Sequence, residues 1–286
     1  MSNLSGVKSR MTSPVINRGI TAALVVAMLA MCFPATAAET APPPATLPAS
    51  AATTPAALFR ACLELPIEAA PGERSEYSDP GFILLGKALE LLTRESLADS
   101  AKSHVFEPLG MTATLFQPAA EQRHLIPPTE IDKGFRRRTI QGEVQDENAW
   151  VLDGVAGHAG LFSNVLDLLR FAGSILASLN RAGDSVLPAL FARDTIATFA
   201  ERQSPSGSSR ALGWDTPSGE SSAGHDFSSN SIGHLGYSGC SLWIDLDASI
   251  AAVLLTNRTW PDRQSQAIRQ VRPAFHDAVR ESLSST

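Results

Sequence analysis

Cysteine is scarce in this chain, with three residues in 286. So few cannot build a disulfide framework. The six histidines, at 104, 124, 158, 225, 234 and 276, show no metal-ligand spacing. No glycine loop of the phosphate-cradling kind is present, so no cofactor is expected. Basic residues are also in deficit, 23 Lys+Arg against 29 Asp+Glu, for a net charge of −6. An acidic chain is a poor partner for nucleic acid. No internal repeat is present, which sets aside solenoids and propellers.

What is present is enough apolar residue to fold. Hydrophobic residues make up 44% and charged residues 18%, and the length suits one large domain or two small ones. Residues 1–38 read as a secretory signal peptide. Lys8, Arg10 and Arg18 form a basic front, Ile20 to Phe33 is apolar, and Ala35-Thr36-Ala37 offers a cleavage site. The alternative is an uncleaved anchor, but the run is shorter than the ~20 residues a span needs, and Pro34 closes it. Cys32 suggests a lipoprotein, but Met31 before it is too large for that pattern. Removing three basic residues and no acid leaves 20 against 29, or −9. An exported protein, periplasmic or secreted, is therefore expected, with no stable membrane span after cleavage. Cys62 and Cys240 remain, and burial as small apolar residues is the blander reading than a bridge.

Residues 39–55, rich in Ala, Pro and Thr, read as a flexible linker. The domain then runs over 56–286. Ala57, Leu58, Ala61, Cys62 and Leu65 share one helical face. Asp79 is a plausible cap, with Pro80 in the first turn of a helix apolar on most faces over Phe82–Leu92. Further helices are predicted over Leu97–Val105, Asn164–Leu179, Pro188–Arg202 and 262–283. In the last, Ile268, Val271, Phe275 and Val279 fall on one side. Residues 116–154 look like a surface excursion, with Arg136-Arg137-Arg138 as a solvated face or carboxylate partner. A glycine-punctuated strand start at Ser231 is followed by two apolar strands. Helices, then strands, then a helix imply an α+β fold.

Two residues stand out chemically. A tyrosine acts as a general base only when a nearby cation lowers its pKa from ~10. Tyr77 is otherwise a helix-entry aromatic. His234 lies between Gly233 and Leu235-Gly236, where glycines let a backbone or substrate approach. Its bland reading is a satisfied surface histidine.

Several ordered blocks then add up. Tyr77-Ser78-Asp79-Pro80-Gly81, Pro108-Leu109-Gly110-Met111-Thr112, Asp146-Glu147-Asn148-Ala149, Gly154 to Ser163 and Gly233-His234-Leu235-Gly236 occur in sequence. Together they resemble the β-lactamase-related serine hydrolases: class C β-lactamases, D-Ala-D-Ala carboxypeptidases and certain esterases. The likeness runs from about residue 56 to 260. It implies a partial β-lactamase/transpeptidase-like fold, with a helical region, a short antiparallel sheet and a C-terminal helix. It also implies roles. Tyr77 would move the nucleophile's proton, and Asp79 would take the substrate-contacting position usually held by Asn. His234, with Gly233 and Gly236, would flank the substrate, in place of the family's Lys. Tyr237 would offer its backbone N–H to an oxyanion. A turn role is expected for His158.

The family's nucleophile stands in a Ser-x-x-Lys motif before the tyrosine motif. Here the one such match is Ser5-Gly-Val-Lys8, inside the predicted signal. The expectation is a domain without the N-terminal strands and nucleophile helix, inactive or nearly so as a lone chain. The alternatives are an active hydrolase using Ser163, Ser238 or a nucleophile supplied by another polypeptide, and a non-enzymatic envelope protein binding a small molecule or peptide. In the family's fold the strand matching Ile250–Thr256 pairs with the first strand, so an exposed edge and self-association through it are expected.

Overall fold

The computed structural model describes residues 54–75, 77–179, 187–203 and 208–284. The predicted signal peptide, and the linker up to residue 53, lie outside the described residues. Thr54 caps the first helix, its hydroxyl accepting from Ala57 N at 3.3 Å. Helix α1 spans Pro55–Glu64. Helix α2 spans Asp79–Thr93, and its cap is Ser78, one residue before the expected Asp79. Ser78 Oγ accepts from Gly81 N at 3.1 Å, and Asp79 becomes the first-turn acid that the helix dipole favours. Helix α2 buries one face only, through Pro80, Ile83, Gly86 and Leu89. Leu91 and Leu92 are 70% and 68% exposed, so its apolar excess is not all core.

Helix α3, Leu97–Ala101, runs on into a π-helical turn over Lys102–Phe106. The region expected to be a surface excursion is more ordered than that. Strands β1 (Leu115–Phe116), β2 (Glu130–Asp132) and β3 (Arg138–Ile140) and helix α4 (Glu147–Val151) lie within it. Arg136 is buried against Asp132 at 3.1 Å, and Arg138 pairs with Glu143, so two of the three arginines serve carboxylates. Strand β4 (Leu161–Phe162) pairs antiparallel with β1, and β2 with β3. Helix α5 is Val165–Leu179. Helix α6 is Arg193–Ala200, shorter than its sequence suggested.

The main sheet has three antiparallel strands in the order β5-β6-β7: Ser231–Leu235, Ser241–Asp245 and Ile250–Leu254. Its two faces follow from strand alternation. Ile232, Leu242, Ile244 and Val253 pack on α5 through Leu168, Phe171 and Ile175, with Trp214 completing that core. The opposite face carries Trp243 and Ala252 against Phe275 and Val279 of helix α7, Ile268–Ser284. Helix α7 is rotated from the expected register. Val271 is 47% exposed, while Arg272 and His276 are buried. A second core, of Leu58, Cys62, Ile83, Ala149 and Val151, joins α1, α2 and α4. Both described cysteines are free thiols. No described helix is long and apolar enough to cross a membrane.

Candidate active site

Tyr77 stands immediately before the Ser78 cap, so the start of α2 fixes its backbone. Its ring lies 6.0 Å from that of Phe82, one turn into the helix. The Arg210 guanidinium sits over the ring at 5.9 Å. The phenol oxygen is buried and meets no hydrogen-bond geometry among the described residues, and the same holds for Asp79 Oδ1. The two side chains are nonetheless close enough to act on each other. Burial first, and then the Asp79 charge, push the Tyr77 phenol well above its ordinary value, and Arg210 opposes only part of this. Burial also raises the Asp79 carboxyl, against the pull of His158.

His158 and Asp146 act on these two through their charges. Asp146 caps α4, its Oδ1 accepting from Ala149 N at 2.8 Å. The same oxygen lies 2.8 Å from His158 Nε2. The Gly154–Gly160 turn brings the histidine back across these twelve residues. Gly160 makes the turn possible, at φ +117°, because a Cβ there would stand 2.2 Å from the Gly154 carbonyl oxygen. His158 is wholly buried and its Nδ1 has no partner among the described residues. Burial alone would lower its pKa, but the Asp146 charge and hydrogen bond, with Asp79 adding to them, outweigh burial and raise it. Asp146 is correspondingly lowered, because the His158 charge and hydrogen bond overcome its own burial.

His234 comes from β5, opposite Leu242. It is buried, and its Nδ1 lies 3.1 Å from the Leu235 carbonyl oxygen. Gly233 faces the other side of the sheet. A Cβ there would stand 2.3 Å from the Trp243 ring, so the close approach this glycine permits is that of the indole. The turn after β5 is held by Arg272. Its Nε donates to the Gly239 carbonyl at 3.1 Å, and one terminal nitrogen donates to those of Gly236 and Cys240 at 2.6 and 3.0 Å. Within this turn Gly236 N donates to Cys240 O, while Tyr237 N makes no backbone hydrogen bond among the described residues. The Tyr237 ring lies 4.5 Å from the Arg258 guanidinium and 5.7 Å from that of Arg263.

Tyr77 and Asp79 are thus together, and so are Gly233, His234, Gly236 and Tyr237. The two groups are linked through Arg210. Its backbone bridges to Asp215, and Asp215 exchanges two backbone hydrogen bonds with Gly233, at 2.8 and 2.9 Å. The serines considered as substitute nucleophiles have other partners. Ser163 Oγ is 2.7 Å from Thr114 Oγ1, and Ser238 Oγ is 3.4 Å from Cys240 Sγ. Ser241 Oγ does lie 2.9 Å from His276 Nε2, but both residues are sealed from solvent. A cleft of about 460 Å³, lined by Arg123, Glu143, Trp150 and Asp153 among others, contains none of the six expected site residues.

A family model described as Beta-lactamase matches residues 33–274. The chain belongs to the β-lactamase family. A Salmonella enteritidis protein named "Putative D-alanyl-D-alanine carboxypeptidase" is 34% identical over 212 residues, covering 68% of this chain and 47% of that protein. Its namesake from Salmonella typhi is 33% identical over the same shares. This β-lactamase-family chain spans about half the length of the curated relatives it matches. Among solved structures, a β-lactamase from Mycobacterium bovis matches with TM-score 0.56 and 22% identity, over 92% of this chain and 85% of that one. The octameric penicillin-binding protein homologue from Pyrococcus abyssi matches with TM-score 0.54 and 18% identity, over 93% and 52%. These structural likenesses carry the fold.

Sequence reasoning missed Asp146 and Arg272 of this β-lactamase-family chain, and gave His158 only a turn role. Asp146 and His158 both stood in family-like blocks, but nothing local announces that twelve intervening residues return one to the other. Arg272 gave no signal, because an arginine on an amphipathic helix reads as its solvent face.

Proposed function

We propose that this chain carries the tyrosine-and-histidine part of a serine-hydrolase site of the D-Ala-D-Ala carboxypeptidase type, and that it is catalytically silent as a lone chain. Tyr77 is the proton-transfer group, and His234 with the Gly236–Tyr237 backbone flanks the acyl group. The observation that carries the second half is the charge around Tyr77. A tyrosine base needs a cation at its hydroxyl. Here the hydroxyl is buried, the charges of Asp79 and Asp146 both oppose its ionisation, and the neighbouring cation, Arg210, lies over the ring. Beyond the Ser5–Lys8 match, the sequence has no Ser-x-x-Lys to supply a nucleophile and the ammonium that would activate it. We also read the chain as exported. That rests on the residue 1–38 pattern, and N-terminal sequencing of the protein recovered from a periplasmic fraction tests it.

The test of silence is direct. Purified protein is offered nitrocefin, p-nitrophenyl esters and a D-Ala-D-Ala peptide, and is labelled with a fluorescent penicillin and a fluorophosphonate. Neither turnover nor a covalent adduct is expected. Loss of the nucleophile removes an oxyanion donor as well, and one such donor alone is worth about 10²–10³ in rate. Turnover above background that Tyr77→Phe abolishes would mean the machinery is complete, and the proposal would fall. Binding of the peptide without an adduct points instead to a ligand-binding protein.

A further inference from the structure

The cleft that holds none of the expected site residues is a built feature of the helical half. At about 460 Å³ it falls within the range of ligand-sized pockets. Its wall runs from Thr54 and Pro55 at the start of α1 to Trp150 and Val151 of α4 and Phe162 of β4. Trp150 is 41% exposed. Phe135 braces its ring edge-on, with centroids 5.5 Å apart, and its indole N–H donates to Glu143 Oε2 at 3.3 Å. The ring is thus fixed in place while much of its surface stays open. The wall beside it is fixed as well. Gln117 and Asp153 both hold positive φ, at 51° and 58°, and the Gln117 side-chain amide donates to the Asp153 carbonyl. Backbone of this kind persists only where its surroundings determine it. The polar groups of the wall are largely engaged within it. Glu143 pairs with Arg138 as well as with Trp150, and Arg123 Nε donates to the Pro118 carbonyl at 3.3 Å. Such a wall suits an uncharged, partly apolar occupant better than an ion.

We propose that the occupant is a segment of this same chain, residues 40–53, with Leu47-Pro48 seated on the Trp150 ring. Thr54 is the first described residue and is itself part of the wall, so the chain that precedes it sets out from the rim of the cleft. Its backbone is extended, at φ −138° and ψ 151°, as the following Pro55 requires. The composition of the segment matches the wall. Residues 40–53 carry no charge, and they offer Pro42, Pro43, Pro44 and Pro48 with one large apolar side chain, Leu47. Proline-rich chains dock on aromatic grooves because their polyproline conformation is set in advance and little entropy is lost on binding. Reach is not limiting. Leu47 precedes Thr54 by seven residues, about 20 Å at the ~3.1 Å per residue of a proline-rich chain. Tethering also supplies an effective concentration on the order of mM, so a weak contact is enough to keep the cleft filled. Removal of residues 1–38 would leave the segment attached.

The test places a probe on the ring. The chain has four tryptophans, so fluorotryptophan labelling gives four fluorine NMR signals, and Trp150→Phe identifies the one that matters. The full chain is compared with a double variant, Leu47→Ser with Pro48→Gly, whose changes lie outside the described residues. The Trp150 signal should shift between the two, while those of Trp214 and Trp243, fully buried in the other half, stay in place. A synthetic peptide of residues 40–53, added to the double variant at a concentration on the order of mM, matching the tether, should move the signal back. The same peptide carrying both changes should not. A Trp150 signal at one position in parent and double variant overturns the proposal, and so does a parent peptide without effect. A parent signal that moves on dilution overturns it too, by putting a second copy in the cleft. A shift shared by Trp214 and Trp243 does the same, because it reports a change in the whole fold. No readout is turnover, so the outcome stands apart from the reading of Tyr77.

Discussion

His158 and His276 are both wholly buried, yet their surroundings drive them in opposite directions. His158, in the helical half, faces Asp146 and Asp79 and is raised. His276, under the sheet, has its pKa pushed down to about 4, by burial first and then by the Arg272 charge. Burial disfavours the charged form at both sites. The neighbour decides the net sign. The helical half therefore sets a buried imidazole against a carboxylate, and the sheet half sets one against the Ser241 hydroxyl, with buried polar atoms left unpaired among the described residues of both halves. The first arrangement suits a group whose charge is to be controlled. The second suits a helix clamped onto a sheet.

The largest effect expected from breaking this contrast is at Asp146. Asp146→Ala removes the carboxylate held against the buried His158 ring and the cap of α4 together. Breaking a buried pair costs about 3–5 kcal/mol, and losing a cap about 1 kcal/mol. His158 is able to shed its proton, which limits the total to about 3 kcal/mol. Asp146→Asn keeps the cap and should lose less. Urea unfolding of both variants measures the difference, and equal stabilities of Asp146→Ala and the parent would show that the pair contributes nothing.

Acid should separate the two histidines next. His276 has a folded pKa below its unfolded one, so the unfolded chain binds more protons between about 4 and 6.5. Stability from this site is full above 6.5 and is lost as pH falls toward 4. The interval corresponds to about 3 kcal/mol at most. His158 has the opposite sign. Its contribution is full below the unfolded value and is lost as pH rises through the raised folded one. Denaturation midpoints from pH 4 to 8 should therefore flatten on the acid side with His276→Gln and on the neutral-to-basic side with His158→Gln. Slopes unchanged in both variants would sink the assignment.

How far this contrast was legible in the sequence depends on how local its causes are. Helices α1, α2 and α5 and strands β5, β6 and β7 announced themselves through apolar spacing and glycine punctuation. The cap of α2 was misread by one residue because Ser78 and Asp79 are both good caps and only backbone geometry separates them. Tyr77 and His234 were singled out through family-like blocks, which carry residue identity without surroundings. The surroundings were not legible. Arg272 and His276 are polar residues buried by partners distant in sequence, and hydropathy places such residues outside. The apparent apolar stripe of α7 misled for the same reason, admitting exposed Val271 and leaving out Arg272.

Arg272 offers a smaller and more local effect. It has no carboxylate partner within salt-bridge distance among the described residues, and burial, followed by Arg258, lowers its pKa to about 10. Its hydrogen bonds go to the carbonyls of Gly236, Gly239 and Cys240. Arg272→Met leaves the Gly239 carbonyl without its donor, while those of Gly236 and Cys240 keep backbone donors from Gly239 and Gly236, and it relieves a buried charge, so the net cost should be no more than about 2 kcal/mol. The sharper readout is local. Amide exchange across 236–240 should quicken while that in α2 does not. Uniform quickening in both halves would mean that Arg272 holds up the whole fold and not this turn.

The smallest expected effect concerns the sheet edge. Strand β7 ends the β5-β6-β7 sheet and pairs with no further strand among the described residues. Its side chains are better covered than the apolar run suggests. Val253 is 8% exposed, packed on α5, and Ala252 lies under α7. Lysine at 253 would therefore damage the core rather than mark the edge, and the informative position is Leu255, just past the strand and 36% exposed. An open backbone edge recruits another strand whatever its faces do, unless charge or proline blocks it. We expect weak self-association at high concentration that Leu255→Lys reduces, with folded stability changed by no more than about 0.5 kcal/mol. Light scattering after size exclusion measures both chains. A parent that stays monomeric throughout, with fast amide exchange across 250–254 showing the edge open, would mean that covered faces are protection enough for an edge this short.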